Sequence, residues 1–432
     1  MPRRDRDAPR ARRAGGLVSA GRELGRRAAR ALAVDDRAPR YEAALRDEAE
    51  VAAALTWAAA DRLAVIARGG GTRLNLGNVP RAYDVALSTA HLGGIVEYEP
   101  ADLTITARAG TPFIALQATL AENGQFLALD PQTHPGSTIG GIVATNASGP
   151  CRLRYGTARD LVIGTRVVTG NGTIARSGGR VVKNVTGYDL NKLYIGSLGT
   201  LAVLTEVTLK VSPRPREERT LAILMPDIDA ACALTYRLLR SALTPTAIEA
   251  APADGEAVCV TIHLGDRRVA LDRTVRDITA YAAEAGAGGI EMLDEDAARD
   301  ALDLLRAEPV APEGGLRVRL AVPIGEVAWA WREIASRARA AGLAHDIRAS
   351  SGVGVLRAAI APGDGALALV RALRALVREH LGTLVVERCP TAMKAEIDVL
   401  GDPGDSQIIA QRLKARFDPH GIMAPGRFLG RL

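Results

Sequence analysis

Aromatic residues are scarce in this 432-residue chain, where Phe, Tyr and Trp together make up 3%. None of the few rings is interleaved with basic residues in the body of the chain, so a stacking platform for nucleic acid has nothing to be built from. Cysteine is equally sparse. Cys151, Cys232, Cys259 and Cys389 stand far apart without a Cys-x-x-Cys pair, which supports neither a disulfide framework nor an iron–sulfur cluster and makes a reducing cytoplasm the default compartment. The histidines His91, His134, His263, His345, His380 and His420 show no His-x-His or His-Glu-x-x-His spacing, so no protein metal site is expected. No apolar run approaches the roughly 18–20 residues that span a bilayer. Any contact with the inner face of the membrane is therefore expected to come through partners.

Charge is present but unevenly placed. The net charge is +6, and the first forty residues hold 12 Lys+Arg against 5 Asp+Glu, which leaves the remainder close to neutral. The basicity belongs to a tail, residues 1–38, read as disordered or loosely helical. Contact of that tail with a membrane surface or nucleic acid is the minority alternative. Arg12-Arg13 superficially resembles a twin-arginine export signal, but the tail has no apolar core of the kind a secretory signal needs.

What the chain does have is glycine in two loops about seventy residues apart: Arg68-Gly69-Gly70-Gly71-Thr72-Arg73, and Gly136-Ser137-Thr138-Ile139-Gly140-Gly141-Ile142-Val143-Ala144-Thr145-Asn146-Ala147-Ser148-Gly149. The first follows the apolar run Leu63 to Ala67, read as a buried strand, so residues without side chains sit where the chain leaves a sheet. Successive backbone N–H groups aimed into one concavity bind phosphate oxygens, and a diphosphate is the natural guest. The second loop is small at nearly every position from Thr138 to Ser148, which lets it lie flat against a planar ligand. Taken singly, the first loop also reads as a flexible turn and the second as a packing face between helix and sheet.

Length predicts two or more domains. An amphipathic helix from Glu48 to Ala60 leads into the strand before the first loop. Strands follow at 85–88, 94–98 and 103–110, then a helix from Phe113 to Asn123 with Pro112 at its first turn and Gly124 closing it. Strands are predicted at 162–169, 173–176 and 201–211, and Pro213-Arg214-Pro215-Arg216 marks a boundary. Beyond it, strand–helix–strand–strand–helix–strand is read over 220–293 and again over 316–387, two ferredoxin-like halves of one cap domain.

The two glycine loops come in order with Tyr155-Gly156-Thr157-Ala158-Arg159-Asp160, Lys183-Asn184-Val185-Thr186-Gly187-Tyr188-Asp189-Leu190 and Gly196-Ser197-Leu198-Gly199-Thr200-Leu201-Ala202-Val203. This series resembles the vanillyl-alcohol oxidase/PCMH-type FAD-binding superfamily, as does the ending Phe417-Asp418-Pro419-His420-Gly421-Ile422-Met423-Ala424-Pro425-Gly426-Arg427-Phe428. With Val386-Glu387-Arg388-Cys389-Pro390, the chain from about residue 40 is similar to the FAD-binding (E) subunits of bacterial glycolate oxidases. The resemblance implies an α+β class: a PCMH-type two-subdomain FAD-binding fold over 39–213, an α+β cap of ferredoxin-like βαββαβ units over 214–390, and a segment, 391–432, returning to the FAD domain. It implies a diphosphate held by Arg68, Gly69, Gly70, Gly71, Thr72 and Arg73. Pro135, Gly136, Ser137, Thr138, Gly140, Gly141, Thr145, Asn146 and Gly149 would run along the flavin, with Tyr155 and Asp160 beside them, and Gly199, Thr200, Leu201 and Val203 would meet the adenine side. No His stands in the first loop, so FAD is expected to be noncovalent. Cys151 follows the second loop; it is read as a buried inert thiol, the alternative being approach to the flavin. Tyr188 is read as core or cofactor-wall packing, the alternative being a part in the chemistry.

Oxidising a 2-hydroxy acid needs a cation for the carboxylate and a base for the hydroxyl proton. Arg319 is the carboxylate candidate, on a strand whose Arg317 and Arg319 share a face; the alternative is a solvated strand face. Lys183 is the second catalytic candidate, the alternative being a surface pair with Asp189. Relatives acting on D-lactate or D-2-hydroxyglutarate carry a His-x-Gly-Asp-x-Asn-x-His-like metal segment, whereas this chain has His263-Leu264-Gly265-Asp266-Arg267-Arg268 without the second histidine. The resemblance therefore implies a glycolate-oxidising hetero-oligomer in which this chain works beside a catalytic flavoprotein subunit and an iron–sulfur subunit, with no nucleic acid. A standalone FAD-dependent oxidoreductase and a flavin-poor structural subunit stay open.

Overall fold

A computed structural model of the chain describes residues 21–180 and 187–432. Its first lobe starts from a helix whose beginning and buried face are both written locally. The Asp47 carboxylate caps the helix Glu48–Ala60 by accepting from the Glu50 amide at 2.8 Å. Val51, Ala54, Leu55 and Ala58, spaced to fall on one stripe, are buried. That stripe covers a small sheet in the order Arg22–Glu23, Tyr41–Ala44, Val85–Ser88, Val65–Arg68, the last three parallel. Leu55, Val65, Val85 and Leu87 form its core together with Ile422 and Met423 from the far end of the chain.

The C-terminal segment closes the open side of Val65–Arg68. Val65 donates to the Ile422 carbonyl at 2.8 Å, and Ala424 donates to the Val65 carbonyl at 2.7 Å. The buried Asp418 carboxylate holds that segment in shape, accepting from the amides of Ile422 (3.0 Å) and Met423 (2.8 Å) and pairing with Lys414 at 2.7 Å.

The basic tail is shorter than expected. Arg22–Glu23 already pairs with Glu42 and Tyr41, the helix Arg26–Ala31 follows, Val34 is buried, and Asp35 pairs with the buried Lys394 at 2.7 Å. Residues 21–38 thus fold because they carry partners for the C-terminal segment, which composition does not reveal. Residues 1–20 lie outside the described residues.

The second lobe is an antiparallel sheet in the order Ile95–Glu99, Thr104–Arg108, Ala202–Lys210, Val162–Thr169, Ile174–Gly178. The helices Phe113–Ala121 and Ile139–Thr145 cover it, with Leu116, Leu120, Ile139 and Val143 in the shared core.

The cap is one sheet made of two halves. Among the described residues it has eight strands, ordered Gly289–Met292, Glu217–Met225, Val258–Asp266, Ala247–Pro252, His345–Ser350, Val355–Ile360, Leu316–Ala321, Thr383–Arg388. The halves join where Ala250 faces Ala349. Alternation puts Leu316, Val318 and Leu320 into a core shared with Leu234, Ile278, Ile334 and Leu373 of the covering helices. Arg317 and Arg319 are left on the other face. One helix is absent from the sequence reading: Glu295–Arg306, opened by its Asp294 cap and carrying the ion pairs of Arg299 with Glu295 and Asp296, has an apolar stripe of Ala298, Ala301, Leu302 and Leu305 that is only half-buried.

Asp418→Ala leaves Lys414 without its carboxylate partner and opens two buried amides, and is expected to cost roughly 3 kcal/mol. Chemical denaturation should show it as a lowered midpoint; an unchanged midpoint would mean the segment does not hold the lobe.

Candidate functional site

The site begins where the strand Val65–Arg68 ends. Gly71 turns the chain at φ +74°, a region costly for other residues. A Cβ at Gly70 would fall on the Gly136 carbonyl, and one at Gly69 on the Thr138 hydroxyl. The two glycine loops therefore touch with no side chain between them. Thr138 then caps the helix Ile139–Thr145, accepting from the Gly141 amide at 3.3 Å, and Asn146 at φ +47° ends it. Gly140 lies flat on the neighbouring strand's end, where a Cβ would come 2.7 Å from that of Ala109. The loop Gly196 to Gly199 hangs from the same helix, its Gly196 and Leu198 amides donating to Val143 (3.0 Å) and Ala144 (2.9 Å).

Between these walls lies a cleft of about 960 Å³ counted out to its open mouth, also lined by Leu74, Leu76, Gln132 and Arg427. Arg427 arrives from the chain's end. One arm of its guanidinium donates to the carbonyls of Leu74, at 2.7 Å, and Leu76, which fixes the segment after the first loop. Its Nη1, the Nη1 of Arg68 and the hydroxyl of Tyr83 are buried without a hydrogen-bond partner among the described residues, and Asp35 stands 3.8 Å from the Arg427 nitrogen. Burial pushes the Tyr83 hydroxyl up to about 12 against the pull of the two guanidiniums. Two unsatisfied cationic donors beside a cradle of bare backbone fit the diphosphate of a dinucleotide.

Of the residues singled out in the sequence, Arg68, Gly69, Gly70, Gly71, Thr72, Arg73, Ser137, Thr138, Gly140, Gly141, Thr145, Gly199 and Val203 line this cleft. Others hold the walls from outside it. Gly136 is the surface on which Gly70 rests, and Pro135 precedes it without lining the cleft. Asn146 is the helix end. Gly149 is small because a side chain would strike the Asp130 carbonyl, and it lines a neighbouring cleft instead. Tyr155 packs edge-on against Phe126 at 5.4 Å, facing a third cavity. Asp160 closes a capping box with Thr157, accepting from its amide at 2.7 Å. Thr200 is buried, its hydroxyl donating to the Ser197 carbonyl at 2.7 Å, and Leu201 faces a groove toward the helix Gln407–Phe417.

Tyr188 is 93% exposed, contrary to the packing expected of it. Asp189 lies 3.4 Å from Lys192, and Lys183 lies outside the described residues. Cys151 faces the third cavity, its amide donating to Asp130 and its thiol pushed up by burial and by that carboxylate. Sequence reasoning missed Arg427 and Gln132. The Arg427 signal was its place in the closing Pro425-Gly426-Arg427; Gln132 gave none.

Gln132 also lines the neighbouring cleft, between Ser148, Gly149 and Pro150 and the polar face of the cap sheet. Arg319 stands on that face in a group of guanidiniums around buried Glu387. Arg319 and Arg317 reach Glu387 at 3.0 and 3.2 Å, and Arg357 comes within 4.0 Å. Arg317 also pairs with Glu308 at 2.5 Å, and Glu308 with Arg73 of the first glycine loop at 2.6 Å. Burial works to raise the Glu387 carboxyl, but Arg357, Arg319, Arg317 and Arg73 outweigh it and hold it below the usual range. Four cations share two carboxylates here, and Arg319 keeps 32% of its side chain accessible. This arrangement can hold a small anion.

Residues 39–178 match the family model for an FAD binding domain. The chain is 51% identical over 130 residues to the glycolate oxidase subunit GlcE of Escherichia coli, an overlap of 30% of this chain and 37% of that protein. It is 35% identical over 220 residues to the glycolate oxidase subunit GlcD of Bacillus subtilis, covering 50% and 47%. The chain thus spans about half or less of these curated relatives. In structure it superposes on p-cresol methylhydroxylase with a TM-score of 0.71 at 15% identity, covering 90% of this chain and 89% of that one. The fold is PCMH-type, and FAD is its cofactor.

Gly70→Ala drives a methyl into the Gly136 carbonyl and is expected to lower FAD retained per purified chain at least tenfold, whereas Gly25→Ala, in open space, leaves it unchanged. Equal flavin content in the two variants would show that the loop contact does not shape the cofactor cleft.

Proposed function

We propose that this chain is the FAD-binding subunit of a glycolate-oxidase-type complex that oxidises a small 2-hydroxy acid, glycolate to glyoxylate, beside a catalytic flavoprotein subunit and an iron–sulfur subunit. The observation that carries the reading is the surplus of guanidiniums on the cap face, tied through Glu308 and Arg73 to the first glycine loop. It supports an anion site beside the cofactor cleft. The overlap with the GlcE subunit of E. coli supports the subunit assignment.

In this reading the backbone of Gly69 to Gly71, with Arg68 and Arg427, would hold the diphosphate, and Gly140, Gly141 and Thr145 would flank the isoalloxazine, without a covalent link. FAD, when bound, supplies a two-electron acceptor for the hydride leaving the carbinol carbon. Arg319 and Arg357 fix the substrate carboxylate, and Glu387 orients both guanidiniums. His263 is buried, its Nδ1 3.0 Å from the Thr220 hydroxyl and its Nε2 3.5 Å from Glu218, so its surroundings already occupy it. Among the described residues no group of three or more His, Cys, Asp or Glu is placed to hold a metal, and no helix is long and apolar enough to cross a membrane.

The test is the visible spectrum of the purified chain before and after anaerobic glycolate or D-lactate, alone and co-expressed with neighbouring subunits. Flavin that bleaches only in the complex is the expected result; bleaching of the isolated chain would make it a dehydrogenase in its own right, and a chain that cannot be reconstituted with FAD would be a structural subunit. Arg319→Ala is expected to weaken binding of the hydroxy acid about tenfold to a hundredfold, the ~1.5–3 kcal/mol of a charged hydrogen bond, with flavin content unchanged. Unaltered affinity would remove Arg319 from the site.

A further inference from the structure

One buried carboxyl group takes no part in the chemistry above. Glu249, on the cap strand Ala247–Pro252, lines the cleft beside Ser148, Arg348 and Arg357. It is 6% exposed. The Ser350 hydroxyl donates to its Oε2 at 2.9 Å, while its Oε1 is buried without a hydrogen-bond partner among the described residues, as is the Nε of Arg357. Two guanidiniums converge on Ser148, Arg152 on its hydroxyl and Arg357 on its carbonyl, each at 3.4 Å.

An ionised Glu249 would be a buried charge held by one hydroxyl and no ion pair, a costly state. The protonated acid avoids that cost but gains an O–H that needs an acceptor. On the Oε2 side the Ser350 oxygen can accept it, but at Oε1 no described residue is in hydrogen-bond reach, and the surrounding guanidiniums favour an anion as the acceptor there. Burial pushes the carboxyl up to about 8; the Ser350 hydrogen bond, Arg357 and Arg152 pull it down, and Asp130 pushes it further up. Arg306, Arg348 and Glu308 line the same cleft, and none of them hydrogen-bonds Glu249.

We propose that Glu249 serves in its protonated form as a hydrogen-bond donor to the carboxylate of the bound hydroxy acid, next to Arg152 and Arg357, so that the anion enters only while Glu249 keeps its proton. The inference rests on the 2-hydroxy-acid reading above. Its sign follows from charge. Loss of the proton puts a second negative charge against the ligand, so affinity is full below the pKa of Glu249 and falls as pH rises through it, about tenfold per unit.

The experiment is calorimetric titration of oxalate, which keeps its charge throughout, into the flavin-loaded protein between about pH 6 and pH 10, in buffers of different ionisation enthalpy. The dissociation constant should be flat up to about pH 8 and then climb tenfold per unit, with binding at the higher pH taking up close to one proton. Glu249→Gln, neutral at every pH, should bind with a flat profile and no proton uptake. Ser350→Ala removes a donor to the ionised form and should move the break to higher pH, which keeps the test open should the glutamine variant fail to fold. A flat wild-type profile, or a break that survives in Glu249→Gln, overturns the proposal while leaving the anion site standing. No oxalate binding at any pH overturns the 2-hydroxy-acid reading as well.

Discussion

Two loops from different lobes meet through backbone alone at Gly70 and Gly136, and the remaining walls of the cleft are built around that contact. Because no Cβ intervenes, the strand Val65–Arg68 can deliver its end directly onto the turn that starts the helix Ile139–Thr145. The same absence of side chains leaves amides bare toward the cleft. Packing and ligand binding thus make one demand on the same few positions, and a substitution there is felt in both.

What surrounds that contact is held by residues far away in sequence. Arg427 secures the segment after the first loop, Asn78 ties it to Asp398 at 2.8 Å and to Phe428 at 3.0 Å, and Lys394 donates to Asn75 at 2.5 Å. The closing segment is in turn clamped by Asp418. These bonds join the first lobe to the last forty residues, so the cofactor cleft is completed only when the chain's end has docked.

The cap solves a different problem. Arg319 faces Arg357 across one pair of strands, and Arg357 faces Arg348 across the next. Like charges directly opposite one another weaken a sheet, and here Glu387 and Glu308 offset only part of the repulsion. A face built at that cost, tied through Glu308 and Arg73 to the first glycine loop, fits the anion site proposed for it. Long-range attraction would also favour entry of small carboxylates over neutral alcohols.

The sequence by itself determined the local features whose physics is local: the capped helix Glu48–Ala60, the alternating strands, the bare loops at Gly69–Gly71 and Gly140–Gly141, and the repeated βαββαβ pattern of the cap. Motif order added the flavin. Tyr155 and Asp160 stand outside the cleft and Tyr188 is exposed, because a motif residue that shapes a helix end or a surface looks the same in sequence as one that lines a pocket. The sequence reading passed over Glu295–Arg306, whose stripe of Ala298, Ala301, Leu302 and Leu305 is short and only half-buried, and Gln132, which sits in no pattern. Tertiary structure alone decided that residues 21–38 fold, that Arg427 reaches back to the first loop, and that Arg73, Arg319, Arg357 and Glu387 share one space with Glu249 nearby. Burial and opposed charge depend on what the chain brings together across hundreds of residues, and no spacing along the chain encodes that distance.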